Sequence, residues 1–126
     1  MTDQVILTLP RERQFFAVAR LVLGGLAARL DVTVEHLEDL ELALDGLLEC
    51  RDDGKEVTVS LEVEGDELLA RVGPFHGSEL RAELEGEPGE GVSLRRLLDA
   101  VVDRYELSDR DDGAWVVLRK RFQRAA

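Results

Sequence analysis

Hydrophobic and polar positions along the first half of the chain predict one strand followed by two helices. The apolar stretch VILTLP predicts a strand at Val5–Leu9, which a proline ends because proline has no N–H to donate to a sheet. Apolar residues then recur every three or four positions over Arg11–Leu30, which is helical spacing. The same spacing from Val34 onward predicts a second helix that ends near Asp52–Gly54.

From Glu56 the period of the pattern changes from helical spacing to two. Apolar residues at 57, 59, 61 and 63 alternate with polar ones, as in a strand with one solvated face. After a turn, Glu67–Val72 is predicted to pair back as a hairpin strand. The remaining predicted elements are a loop at Gly73–Gly91 with a short helical piece around Ser78–Leu84, a helix at Val92–Val102, and strands at Tyr105–Ser108 and Trp115–Arg119.

The predicted order of elements is therefore β-α-α-β-β-α-β-β. Each helix and strand has one apolar side to bury, so the helices are expected to cover one face of a mixed, mostly antiparallel sheet. The fold class is α+β, a two-layer sandwich. A chain of 126 residues fits one domain, residues 1–126.

Charge narrows the choice of partners. The chain has 16 Lys and Arg against 27 Asp and Glu, a net charge of -11, which repels phosphate backbones and anionic membranes. Charged residues also interrupt every apolar stretch before the roughly 20 residues that a membrane span needs. We expect a cytoplasmic protein that binds neither nucleic acid nor membrane.

Common catalytic and metal-binding patterns are missing from the sequence. His36, His76 and Cys50 are too few and too scattered for a zinc site, so no metal is expected there. A single cysteine cannot form an internal disulfide, and acidic residues close to Cys50 in sequence disfavour a reactive thiolate. We expect Cys50 to be an inert packing residue.

Three segments carry a family resemblance: LEDLELAL in the second helix, GEGVSL at the start of the third, and DGAWVVLRK near the end. With the order of elements, they resemble the anti-sigma factor serine-protein kinases of the GHKL, or histidine-kinase-like, ATPase superfamily. The resemblance implies the Bergerat fold, ATP and magnesium as family cofactors, homodimers, and a sigma factor or a STAS anti-anti-sigma protein as partner.

The family's second helix carries a Glu and an Asn within a phrase like DLxxAVxEAxxNA, for activating the attacking group and for holding magnesium. Aligning DLELALDGLLEC to this phrase puts Gly46 at the Glu position and Cys50 at the Asn position. A thiol is a poor ligand for magnesium, which prefers oxygen. Asp45 and Glu49 have the same spacing but are rotated by about 100° on the helix. Gly46 is expected to lie off the core stripe, on the side where the family's nucleotide would rest.

The family's adenine-binding motif, D-x-G-x-G, has no counterpart here. Gly73, Pro74 and Phe75 stand where its acidic residue is expected, and no Asp occurs between Gly73 and Pro88. An adenine bound there would lose its charged acceptor, and an unpaired buried polar group costs about 1–3 kcal/mol.

The family's phosphate loop, G-x-G-x-x-L, is matched by Gly89, Gly91 and Leu94 before a predicted helix start. The match implies a degenerate phosphate-binding loop. The alternative is a flexible loop retained for the fold, because Glu87 and Glu90 in the same loop would repel phosphate.

These losses favour a non-catalytic anti-sigma-factor-like protein without a cofactor. The resemblance implies that the first strand and first helix contribute to the homodimer and to partner contacts, and Arg11, Arg13 and Arg20 are the basic residues of that region. One alternative is an active serine-protein kinase with an altered ATP site, in which Glu49 or Glu90 replaces the missing base. A third is a more apolar cleft that holds a different small ligand.

Overall fold

A computed structural model of the chain describes residues 3–85 and 93–122, with five strands and four α-helices in that part. The strands are β1 (Asp3–Pro10), β2 (Glu56–Glu64), β3 (Glu67–Phe75), β4 (Arg104–Arg110) and β5 (Gly113–Arg121). The helices are α1 (Phe16–Arg29), α2 (Val34–Leu48), α3 (Glu79–Glu85) and α4 (Leu94–Val101).

The five strands form one sheet in the order β1-β2-β3-β5-β4. Hairpin turns join β2 to β3 and β4 to β5, whereas α3 and α4 lie on the connection from β3 to β4. The predicted α+β two-layer sandwich is confirmed. All four pairings are antiparallel, so the sheet described here has no parallel part, although the sequence left a mixed sheet open.

The helices cover one face of this sheet. On that face the apolar side chains of neighbouring strands line up in rows, and the helices bury them. One row, across all five strands, contains Leu7, Val59, Val72, Val116 and Leu107. All five belong to, or pack against, a core cluster that also holds the inward residues of the helices. Burying one such side chain stabilises the fold by about 1.5–3 kcal/mol.

Two predicted helix boundaries differ from the structure. The segment predicted as one helix at Arg11–Leu30 begins with a 3-10 turn at Arg13–Phe15, followed by α1. The second helix ends at Leu48, before the predicted end at Asp52–Gly54.

The short helical piece predicted around Ser78–Leu84 is confirmed as α3. The helix predicted at Val92–Val102 is present as α4, which begins after Ser93. Ser93 is the N-cap residue, and its hydroxyl accepts a hydrogen bond from the backbone N–H of Arg96.

Candidate functional site

Gly46 on α2 lies directly against α4. A Cβ built on Gly46 would lie 2.8 Å from Cδ2 of Leu97 and 3.1 Å from Cδ1 of Leu94, so a side chain at this position would have to displace the ends of these two leucines. The sequence predicts that the side of α2 that carries Gly46 faces the position of the family's nucleotide. In the structure, leucines of α4 occupy the space beside Gly46.

A cavity of about 290 Å³ remains next to Gly46, between the end of α2, α3 and the start of α4. Its charged residues are Glu49, Glu79 and Glu83 against Arg51. Gly46, Cys50, Ser93, Leu94 and Leu97 complete the lining. The cleft is therefore small and predominantly acidic.

Cys50 is half-buried and packs against the hydrophobic core. Burial, and next the negative charges of Glu83 and Glu79, raise the pKa of its thiol to about 11. The group is thus a thiol near neutral pH, which fits the predicted packing role. Among the described residues, no set of three His, Cys, Asp or Glu side chains is arranged to bind a metal.

The N-terminus of α4 is capped by side chains of this chain. The backbone N–H of Leu94 donates to Oε2 of Glu83 at 3.1 Å, and that of Arg96 donates to Oγ of Ser93 at 3.2 Å. Leu94, the last residue of the predicted phosphate loop, is buried in the core. Gly89 and Gly91, the other two, lie outside the described residues, as does Glu90.

On the sheet face opposite the helices, the ring of Trp115 covers Gly73, which stands where the family's adenine-binding acid is expected. A Cβ on Gly73 would lie 2.6 Å from Cδ2 of Trp115, whose indole N–H donates to Asp112 at 2.8 Å. Gly73 is the cross-strand neighbour of Thr58, on the sheet face opposite the helices. Phe75 lies in the core at 2% exposure.

Asp52 holds together the segments that follow α2 and β3. Its carboxylate accepts backbone hydrogen bonds from Gly54, His76 and Gly77 at 2.7–2.9 Å. Burial alone raises the pKa of Asp52, but these three bonds and the charge of Arg11 outweigh it and bring the pKa below its ordinary value. These contacts explain why the chain leaves the helix after Leu48.

Arg11 completes this network from the end of β1. Its Nε lies 3.5 Å from Asp52, its Nη2 donates to the carbonyl of Pro74 at 2.6 Å, and its guanidinium stacks on Phe75. The side chain is only 6% exposed, and burial lowers its pKa. Arg11 is one of the three arginines predicted to contact a partner, and in the structure its side chain is engaged within the chain.

No local sequence motif marks the network of Arg11 and Asp52, so it was not predicted. Arg11, Asp52 and Pro74 are far apart in the chain, and only the folded sheet brings them together. The available signals were indirect: a cluster of Asp and Gly residues after a helix, and an arginine directly after a strand. Both signals are common in solvated turns, so neither of them indicates a buried network.

Arg13 and Arg20 lie on the surface and pair with α2. Arg13 contacts Glu49 at 3.0 Å, and Arg20 contacts Asp45 at 3.2 Å. Asp45 and Glu49, considered as a shifted catalytic pair, thus pair with Arg20 of α1 and with Arg13 of the preceding 3-10 turn. Surface pairs of this kind contribute little to stability, about 0–1 kcal/mol, so both arginines remain available to other carboxylates.

Two surfaces near the start of the chain carry exposed apolar side chains. On α1, Leu21 is 75% exposed and Val18 is 38% exposed. On β1, an edge strand, Ile6 is 65% exposed. No helix in the described part of the chain is long and apolar enough to cross a membrane.

Comparisons with known proteins agree on one family. The chain is 30% identical to the serine-protein kinase RsbW of Listeria monocytogenes, in an alignment that covers 95% of this chain and 88% of that protein. The serine-protein kinase RsbW of Halalkalibacterium halodurans is 24% identical, with 97% and 85% covered. No protein-family model matches the chain.

A solved structure has the same fold. A crystal structure of RsbU and RsbW domains from Mycobacterium tuberculosis superposes with a TM-score of 0.72 over 98% of this chain, at 16% sequence identity. The chain spans 34% of the length of that larger protein.

Proposed function

Because the chain belongs to the family of RsbW serine-protein kinases, the anti-sigma factor kinases, we propose that it is a non-catalytic member that regulates transcription in the cytoplasm by binding a protein. The observation that carries this proposal is the packing of Leu97 and Leu94 on Gly46. Gly46 stands at the family's Glu position, and the leucines take the space that a catalytic side chain there would need.

The chemistry of the cleft supports the same proposal. Its protonated thiol is a poor ligand for magnesium, and among the described residues only Arg51 offers a cationic side chain to a nucleotide's phosphates, which need cationic or N–H donors. The described residues of the cleft therefore favour a site without the family's cofactor.

We assign partner contact to α1 and its surroundings. Arg13 and Arg20 supply positive charge, and the exposed Leu21 of α1 supplies an apolar anchor. Apolar side chains flanked by charge are typical of protein-binding surfaces. The partner is a sigma factor or a STAS anti-anti-sigma protein, and without phosphorylation the two would be exchanged by competition.

We further propose that the protein forms a homodimer that uses β1. This strand lies at one edge of the sheet and carries the exposed Ile6, so it offers unpaired backbone groups and apolar surface together. Mass measurement in solution tests this directly. An Ile6→Glu variant should be monomeric if β1 is the contact, whereas a monomeric parent protein would refute the dimer.

The experiment that tests the proposed function combines capture and phosphate transfer. Tagged protein is purified from its native cells, and its partner is identified by mass spectrometry. The purified pair is then incubated with labelled ATP and magnesium. We expect a sigma factor or a STAS protein to be captured, a Leu21→Glu variant to lose it, and no label to be transferred. Labelling of the partner would instead establish the alternative, an active kinase.

A further inference from the structure

The N-terminus of α4 already holds a carboxylate that belongs to this chain. Glu83 on α3 accepts a hydrogen bond from the backbone N–H of Leu94 at 3.1 Å. The N-terminus of a helix attracts anions, because its first N–H groups lack partners within the helix and the helix dipole is positive there. The carboxylate of Glu83 therefore takes the place that a free anion would otherwise occupy.

The surroundings of Glu83 strengthen this effect. Glu49 and Glu79 line the same cleft, with Arg51 as its one cationic side chain among the described residues. A second anion entering the cleft would approach these exposed negative charges to within a Debye length, roughly 8–10 Å at moderate salt, and would be repelled by them. Of these three glutamates, Glu83 is the one whose carboxylate accepts a hydrogen bond from the backbone at the start of α4.

We propose that Glu83 is a specificity-determining residue, which excludes phosphate-bearing ligands from the cleft by occupying the backbone donor of Leu94. This inference rests on the proposed function and adds a cause that the loss of the family's catalytic groups does not supply. Restoring a Glu and an Asn at positions 46 and 50 would leave this exclusion in place.

Two substitutions at one position separate charge from hydrogen bonding. Glu83→Ala removes both, whereas Glu83→Gln keeps an acceptor oxygen for Leu94 and removes only the charge. Glu85→Gln is the matched control, because Glu85 lies on the same helix and pairs with Arg81. Leu80 and Leu84 anchor α3 in the core, so all three variants are expected to fold.

The binding test uses inorganic phosphate as the probe and the backbone amide resonance of Leu94 as the readout. We expect Glu83→Ala to give a saturable shift at a phosphate concentration about tenfold or more below that needed by the parent, since hydrogen bonds to charged groups are the stronger ones. Glu83→Gln should lie between the two, and Glu85→Gln should match the parent. A Glu83→Ala variant that is folded and within twofold of the parent would overturn the proposal.

The thiol of Cys50 gives a second readout that a purely structural cap would not move. Burial first, then Glu83 and Glu79, raise its pKa to about 11. Removing the charge in Glu83→Gln should lower the thiol pKa, measured from the pH dependence of alkylation, while Glu85→Gln leaves it near the parent value. An unchanged thiol pKa in Glu83→Gln would show that Glu83 does not set the potential of the cleft.

The two proposals fail separately. Tight magnesium–ATP binding by the parent protein would refute the proposed function. If the parent binds no ATP and Glu83→Ala gains no phosphate binding, only the role of Glu83 is refuted.

Discussion

The carboxylate of Asp52 and the guanidinium of Arg11 form an ion pair at 3.5 Å, with side-chain exposures of 1% and 6%. The pair joins the end of β1 to the segment after α2, and two of the backbone donors to Asp52, those of His76 and Gly77, extend it to the start of the α3 connection. It fixes the geometry of the loops that border the cleft.

Removing the charge of Asp52 should destabilise the fold strongly. Asp52→Asn leaves Arg11 buried without its counter-charge and is expected to lower the free energy of unfolding by about 3 kcal/mol, measured by urea denaturation. Asp53→Asn is the control, because Asp53 is exposed, and it should stay within about 0.5 kcal/mol of the parent. Equal effects of the two substitutions would contradict the role given to Asp52.

The contribution of Asp52 should depend on pH in one direction. Its pKa is lower in the folded state than in the unfolded state, so its stabilisation is complete above the unfolded value, about 3.9, and is lost as pH falls through the folded value. The difference in unfolding free energy between the parent and Asp52→Asn should be constant from about pH 6 to 8 and shrink below about pH 4. A difference that grows on acidification would show that the sign is wrong.

Adding a methyl group at Gly73 should disturb Trp115. The new Cβ would lie 2.6 Å from the indole ring and 3.0 Å from the backbone oxygen of Ala114, so the strand cannot simply yield. Gly73→Ala is expected to cost about 1–3 kcal/mol and to change the fluorescence of this single tryptophan. Gly25→Ala on α1 has nothing within 4 Å and should instead stabilise the protein by up to about 1 kcal/mol. Equal changes in both variants would argue against a specific contact.

The contact between Gly46 and Leu97 can be measured with a double-mutant cycle. Gly46→Ala gains about 1 kcal/mol in helix propensity but places its Cβ 2.8 Å from Leu97. A Leu97→Ala background removes the shorter contact and leaves only that with Leu94 at 3.1 Å, so the same substitution should be more favourable there by about 1 kcal/mol. Additive effects would mean that Leu97 does not fill the space beside Gly46.

Sequence periodicity predicted the parts of the fold that local patterns determine. The alternation at Val57–Val63 predicted β2 and the side chains that it turns to the core, and the helical stripe from Val34 predicted α2. The end of α2 could not be predicted, because it depends on bonds between Asp52 and two residues after β3.

The candidate site was predictable only in part. Alignment to the family located Gly46 and Cys50, since that comparison needs sequence alone. The leucines of α4 contact Gly46 on α2, and the carboxylate of Glu83 on α3 contacts the start of α4. Both contacts join helices that are separated in the chain. No pattern within α2 signals them.

The measurement that tests the central claim most directly is calorimetric titration of the parent protein with ATP in the presence of magnesium, with the protein shown to be folded in the same sample. The cleft lined by Leu97, Leu94 and Glu83 should give no saturable binding heat. A saturable isotherm with micromolar or tighter affinity would contradict the account, because it would require a nucleotide site that has neither of the family's two catalytic groups on α2.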